Sequence, residues 1–205
     1  GYVGAYASQI LLAKGADVIV ASRKTPAEAQ DKVKSILGKS LDGVKYVSLD
    51  ATSADLSGVL SGATGVISCV GIAPGGSNQR EGNGKANVRI AEAVKAAGIA
   101  NFAYLGVASE LSNGPIKFIF GDYVKGKAEA EAAVVKNLGG SALILEPGII
   151  AGAPPGEVRP PGPPGMSAVS VDEVARAAVA GALGLKSGKV DGNAAITAAA
   201  ASLGA

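Results

Sequence analysis

Gly1-Tyr2-Val3-Gly4-Ala5-Tyr6-Ala7-Ser8-Gln9-Ile10-Leu11-Leu12-Ala13-Lys14-Gly15, followed by Asp17-Val18-Ile19-Val20-Ala21, is the stretch whose reading decides the fold. Its first part has the composition of a helix that stops at a glycine, the residue that most readily takes the left-handed conformation of a helix C-cap. Its second part is a short β-branched run, the kind that forms a strand buried on both faces of a parallel sheet. Ahead of the helix, Gly1 and Gly4 leave the first backbone N–H groups uncovered at the positive end of the helix dipole, where phosphate groups bind.

A glycine turn, a helix and a strand form the second half of a Rossmann mononucleotide unit, in which three glycines serve the tight turn, the approach of a pyrophosphate and close helix packing. Gly1 and Gly4 take the second and third of those places. The first glycine and the strand before it are missing, and in a doubly wound sheet that strand is central. The expectation is a doubly wound parallel α/β sheet without its first strand, with the 205 residues a fragment of a longer natural chain. After the strand stand Ser22-Arg23-Lys24, with no acid among them to hold the ribose hydroxyls of NAD. An arginine there accommodates a 2′-phosphate through its planar donor fork, which favours NADP(H) over NAD(H); a solvated basic turn is the other reading.

Downstream the chain keeps alternating. Thr25-Pro26-Ala27-Glu28 is a capping box with proline at the first helical position, and it predicts a helix to about Leu37. Lys45 to Leu49 reads as a strand with Asp50 at its end, and Ser53-Ala54-Asp55 opens a short helix to Leu60. Gly65-Val66-Ile67-Ser68-Cys69-Val70 reads as a buried strand in which Cys69 is plain core, ending at Gly71. A helix from Asn83 to Ala97, a strand from Asn101 to Gly106, a helix from Gly121 to Lys136 and a strand Ala142 to Leu145 follow, the last leading into Glu146-Pro147-Gly148. Residues 1–184 read as one nucleotide-binding domain that carries a proline- and glycine-rich loop at 151–168; residues 185–205 read as a C-terminal strand, at Ala194 to Ala201, and a tail.

Composition narrows the chemistry. A net charge of +2 without a long basic run does not suggest nucleic acid or an anionic membrane as the main partner, and no apolar window reaches the length of a transmembrane segment. With no histidine and one cysteine there is no His-based triad, no His-ligated metal and no internal disulfide, so no metal site is expected. Acid–base work falls to Tyr, Lys, Asp or Glu. Tyr123 and Lys127 stand four residues apart and share a helix face, so the ammonium is expected to pull the phenol pKa down from about 10. Ser109, past the end of the Asn101 to Gly106 strand, offers a hydroxyl for the same substrate oxygen.

In this order, from Gly1 to about Gly184, the chain resembles the atypical, extended-like (NmrA-like) short-chain dehydrogenase/reductases, NAD(P)-binding Rossmann proteins of the organellar type. The resemblance is carried by Gly1-Tyr2-Val3-Gly4, Ser22-Arg23, Val66-Ile67-Ser68-Cys69-Val70-Gly71, Asn83-Gly84-Lys85-Ala86-Asn87, Tyr123 to Lys127 and Pro147-Gly148. More distantly, the chain is similar to the Rossmann-type accessory subunit of respiratory complex I. The resemblance implies that Gly1 and Gly4 face the pyrophosphate, Ser22 and Arg23 the adenosine ribose or its phosphate, and Asp50 the adenine. It further implies that Gly71 lines the cofactor bed, that Pro147 and Gly148 pass along the nicotinamide, and that Tyr123, Lys127 and Ser109 are catalytic.

Two departures stand out. Glu146 takes a place where the family commonly has arginine, and the segment Ala153 to Met166, where the family builds its substrate site, is proline- and glycine-rich with almost no apolar side chains. Two functions follow as expectations: hydride transfer to or from a carbonyl or alcohol of a small-molecule substrate, or a non-catalytic dinucleotide-binding accessory subunit or assembly factor of an organellar membrane complex. The resemblance implies a chloroplast or a mitochondrion as the location.

Overall fold

The computed structural model describes residues 1–114, 116–152 and 168–204. Helix α1 (Tyr2–Ala13) starts directly on Gly1, and strand β1 (Ile19–Ser22) follows. Helix α2 (Pro26–Leu37) starts on the capping box: Thr25 accepts from the Glu28 N–H while the Glu28 carboxylate accepts from the Thr25 N–H. Then come β2 (Lys45–Ser48), α3 (Ser57–Leu60) and β3 (Gly65–Ser68). A π-helical turn at Glu81–Lys85 leads into α4 (Ala86–Ala96) and β4 (Asn101–Leu105). The short helices α5 (Ser109–Asn113) and α6 (Ile116–Ile119) precede the long α7 (Gly121–Leu138). The chain continues through β5 (Leu143–Glu146), β6 (Ile149–Ala151), β7 (Ala168–Ser170), α8 (Val171–Ala182), β8 (Gly188–Asp191) and α9 (Asn193–Ala200).

All strand pairs are parallel. β1 pairs with β2, β3-β4-β5-β8 form a four-stranded sheet, and β6 pairs with β7. Alternation along the central strands sends side chains to two separate cores, as a sheet covered on both faces requires. Ala103, Leu105, Leu143 and Leu145 pack with α1, α8 and α9 on one face. Phe102, Tyr104 and Ile144 pack with α3, α4 and α7 on the other. This is the doubly wound α/β arrangement. No strand precedes α1 in this sequence, and among the described residues β1 and β3 each pair on one edge only.

Helix α1 joins the two halves instead. Val3 and Ala7 belong to the core of the four-stranded sheet, whereas Ala5, with Tyr2, Tyr6 and Leu12 beside it, packs against Val33 and Ile36 of α2. One helix therefore spans the discontinuity between β1 and β3.

The C-terminal run departs from the sequence expectation. Ala194 to Ala201 is helical, not a strand, because its repeated alanines are the strongest helix formers and only Ile196 and Thr197 are β-branched. The strand lies earlier, at β8, where Leu143↔Gly188 to Glu146↔Asp191 is the register against β5. The proline- and glycine-rich segment 153–166 lies outside the described residues.

A methyl group added at Gly65 meets the Ala182 carbonyl oxygen at 2.0 Å, whereas one added at Gly4 meets nothing nearer than the Cys69 Cβ at 3.8 Å. Gly65→Ala is expected to lower stability by about 2–3 kcal/mol, since backbone must move. Gly4→Ala is expected to leave stability unchanged or raise it by up to about 1 kcal/mol through helix propensity. Urea unfolding of the two variants checks both values.

Candidate functional site

The N-terminus of α1, the ends of β3, β4 and β5 and the first turns of α7 enclose a cleft of about 390 Å³. Of the residues singled out in the sequence, Gly1, Gly71, Tyr123, Lys127, Pro147 and Gly148 line it. At its α1 end, Gly1 is the N-cap, no side chain caps the helix, and Gly1, Tyr2 and Val3 line the opening, so the positive end of the helix dipole lies at the cleft. Gly4 does not line the cleft, and a side-chain methyl there would sit at ordinary contact distance from Cys69. Cys69 packs against the core, as the sequence suggested, and also borders the cleft; burial pushes its thiol up to about 11, which leaves it protonated and inert.

The floor after β3 is held by two buried asparagines one helical turn apart. Asn83 donates to the Ile72 and Gln79 carbonyls, at 2.9 Å each, and accepts from the Ile72 N–H at 3.2 Å. Asn87 donates to the Val70 carbonyl at 3.1 Å and accepts from Ser68 Oγ at 2.5 Å. Between them Gly71 has no space for a side chain: a Cβ there falls 2.8 Å from Asn83 Oδ1 and 3.5 Å from Lys127 Nζ.

Tyr123 and Lys127 open α7 and reach the same cleft, as their spacing requires. Their electrostatics differ from the expectation. Lys127 is 8% exposed, and its ammonium donates to the Leu105 carbonyl at 2.7 Å and lies 5.4 Å from the centre of the Tyr104 ring. Burial lowers its pKa to about 8. Tyr123 is not lowered by this neighbour. Burial raises its pKa, so the phenol holds its proton while the ammonium is engaged by a backbone carbonyl.

Ser109 is turned away from the cleft lining. Its N–H donates to Asp191 Oδ1 at 3.0 Å and its hydroxyl donates to Asp191 Oδ2. Burial pushes the Asp191 carboxyl up, but these bonds from Ser109 outweigh it and hold the group below the usual carboxylate range. Ser22, Arg23 and Asp50 stand apart from the cleft, at the ends of the β1 and β2 chain segments. Ser22 Oγ accepts from the Lys24 N–H, and the exposed Arg23 guanidinium adds to the bonds from Thr52 that keep the Asp50 carboxylate ionised.

A family model described as NAD(P)H-binding matches residues 1–183. The chain belongs to this NAD(P)H-binding family. An uncharacterised chloroplastic protein of Arabidopsis thaliana is 30% identical over 152 residues, which cover 74% of this NAD(P)H-binding chain and 48% of that protein. The chain thus spans about half the length of that relative. Among solved structures, the Bordetella bronchiseptica enzyme WbmH in complex with NAD+ superposes with a TM-score of 0.72 at 15% identity, over 93% of this chain and 71% of that one. UDP-glucuronic acid 4-epimerase from Bacillus cereus, in complex with NAD, gives 0.66 at 18% identity, over 88% and 70%. These likenesses show that the chain has the fold of those NAD-bound structures. They lend no support to an accessory-subunit role or to a mitochondrial location.

The side chains fit a dinucleotide. The NAD(P)H-binding chain presents an uncapped helix start for the phosphates, a glycine floor closed by Asn83, and an amine and a phenol at the opposite wall. Asn83 and Asn87 were legible as the start of a helix and as part of the family resemblance, without a role of their own; their signal was two amides four apart on a face that is otherwise apolar. Glu131, Lys189 and Asp191 carried no local signal, since their neighbours lie on other elements.

Between about pH 8 and 10.5 the unfolded chain holds a proton on Lys127 that the folded chain has lost, so this group makes stability rise with pH across that window. Below it, the buried ammonium is destabilising. Lys127→Met is therefore expected to raise stability at pH 7 by on the order of 1–3 kcal/mol, with the gain fading by pH 10.5, while weakening nucleotide binding. Thermal melts of both proteins across pH 7 to 10.5, with NADPH titrations at pH 7, check this.

Proposed function

We propose that this chain is an NAD(P)-dependent oxidoreductase that transfers a hydride to or from a carbonyl or alcohol of a small-molecule substrate. The observation that carries the reading is that Tyr123 and Lys127 open into the same cleft as the uncapped start of α1. In this reading the first-turn N–H groups of α1 hold the pyrophosphate, and Gly71 lets it lie close to the backbone. The bound nicotinamide supplies or takes the hydride.

Lys127, one of whose three N–H donors is used on Leu105, turns a remaining donor to the nicotinamide ribose. Tyr123 exchanges a proton with the substrate oxygen at its Oη. Because burial raises its pKa, the phenol is a donor at neutral pH, which suits the direction in which a carbonyl is reduced. Ser109 joins the substrate oxygen once its hydroxyl leaves Asp191. Arg23, exposed after β1, takes the 2′-phosphate of NADP(H), with Ser22 beside it and Asp50 toward the adenine. Pro147 and Gly148 border the nicotinamide. A chloroplast is the location that the Arabidopsis relative supports.

The decisive experiment starts from nucleotide released on denaturing the purified protein and its exchange against added NADPH. Exchangeable NADP(H) that is consumed in a carbonyl screen supports the enzyme; nucleotide that neither exchanges nor is oxidised overturns it in favour of a structural ligand. Tyr123→Phe is expected to lower turnover by about 10²-fold or more, with NADPH affinity within about threefold of wild type. Arg23→Ala is expected to weaken NADPH binding about tenfold and leave NADH binding unchanged, as isothermal titration with each nucleotide will report.

A further inference from the structure

Behind the cleft wall lies a charged cluster that the mechanism above does not use. Glu146, the last residue of β5, is 3% exposed. Its Oε1 meets Lys189 Nζ of β8 at 3.0 Å, and the same ammonium meets Glu131 of α7 at 2.7 Å. Its Oε2 is buried and finds no hydrogen-bond donor among the described residues. The carboxylates of Glu131 and Asp191 lie against Glu146. A buried acceptor so placed, with no donor and two carboxylates beside it, is satisfied when Glu146 carries a proton. The cluster lies close to the cleft: Glu146 Cγ is 3.2 Å from where a Cβ on Gly106 would stand, and Gly106 and Pro147 both line the cleft.

We propose that the buried carboxyl of Glu146 carries a proton, and that its loss tunes the cleft towards the oxidised dinucleotide. The inference rests on the reading that the nicotinamide lies along Gly106 and Pro147. An oxidised nicotinamide ring is cationic and a reduced one is neutral, so a negative charge behind this wall favours the oxidised form. With the proton in place, Glu131, Glu146 and Lys189 sum to zero; without it they sum to −1.

Burial first, and the Glu131 carboxylate with it, push Glu146 up to about 7, against the opposing pull of Lys189. The other ionisable groups around the cluster hold their charge in this range. Asp191 of β8 stays ionised through its bonds from Ser109, and Tyr104 of β4 stays neutral because burial raises its phenol. Lys127 of α7, with its pKa lowered to about 8, begins to lose charge at the alkaline end. Glu131, partly exposed beside Glu146, gives the proton a route to solvent, while Lys189 stays an ammonium because both carboxylates raise its pKa.

The test is the ratio of dissociation constants for NADPH and NADP⁺, measured by titration calorimetry from pH 6 to 8 on the wild type, Glu146→Gln and Glu131→Gln. In the wild type the ratio is expected to shift about fivefold towards NADP⁺ as pH rises. Glu146→Gln keeps a net charge of zero at the cluster throughout, so it is expected to stay at the acid-end ratio of the wild type, apart from the slope that Lys127 gives all three proteins; Glu131→Gln leaves Glu146 buried, so it is expected to keep a pH-dependent ratio with its midpoint moved to lower pH. A purely structural role would instead weaken both nucleotides equally and leave the wild-type pH dependence in place.

Stability supplies a second readout. Between 4.5 and about 7 the folded chain holds a proton that the unfolded chain has lost, so this group makes the wild-type Tm fall as pH rises through that window. Glu146→Gln is expected to lack that component. A flat wild-type ratio, or the wild-type slope retained in Glu146→Gln, overturns the inference and leaves the nucleotide reading standing. Absence of binding by either nucleotide at every pH brings down both.

Discussion

The packing of α1 in two directions is the constraint around which the cleft is built. Among the described residues the hydrogen-bond ladder does not run from β1 to β3, so side-chain contacts hold the β1-β2 pair to the four-stranded sheet. In α1, Val3 and Ala7 face α8 and the central strands and Ala5 faces α2; beyond β2, Leu49 and Ala51 pack into the core under α4, and Arg89 donates to the Ala51 and Ala54 carbonyls. Small side chains at these α1 positions let the helix lie close to both neighbours. The same helix start is where the cleft opens, because the strand ends of both halves point to one side and α1 begins between them. In the proposed reading, this helix start is also where the phosphates lie, at the positive end of the helix dipole.

Around that opening the cleft is shaped by buried polar groups rather than by apolar packing. Asn83 and Asn87 satisfy the carbonyls of Val70 and Ile72, which leave the sheet at β3 and have no ladder partner. Lys127 does the same for Leu105 at the end of β4. A buried ammonium with one backbone acceptor is unfavourable for the fold, as its depressed pKa records, and in the proposed reading an acceptor-rich ligand would relieve it. Site and stability are thus set against each other in one side chain.

Helix α7 gives that opposition a direction. Tyr123, Lys127 and Glu131 recur every four residues along one face, so a single helix carries the phenol at the cleft, the ammonium at its wall and a carboxylate behind it. The strands supply what these groups meet: the Leu105 carbonyl from β4, Glu146 from β5 and Lys189 from β8.

Local signals by themselves determined the alternation of strands and helices, the capping boxes, the glycine start of α1 and the shared face of Tyr123 and Lys127, because each depends on residues a few positions apart. They misread Ala194 to Ala201, where alanine propensity outweighed the expectation of a closing strand. Only the tertiary structure decided the protonation of the site. Tyr123 was expected to be acidified by Lys127, yet burial raises the one and a distant carbonyl occupies the other. Ser109 was expected at the substrate, yet Asp191, 82 residues away, holds it. Desolvation and long-range partners are properties of the assembled chain, so a pKa or a hydroxyl's direction cannot be read from spacing.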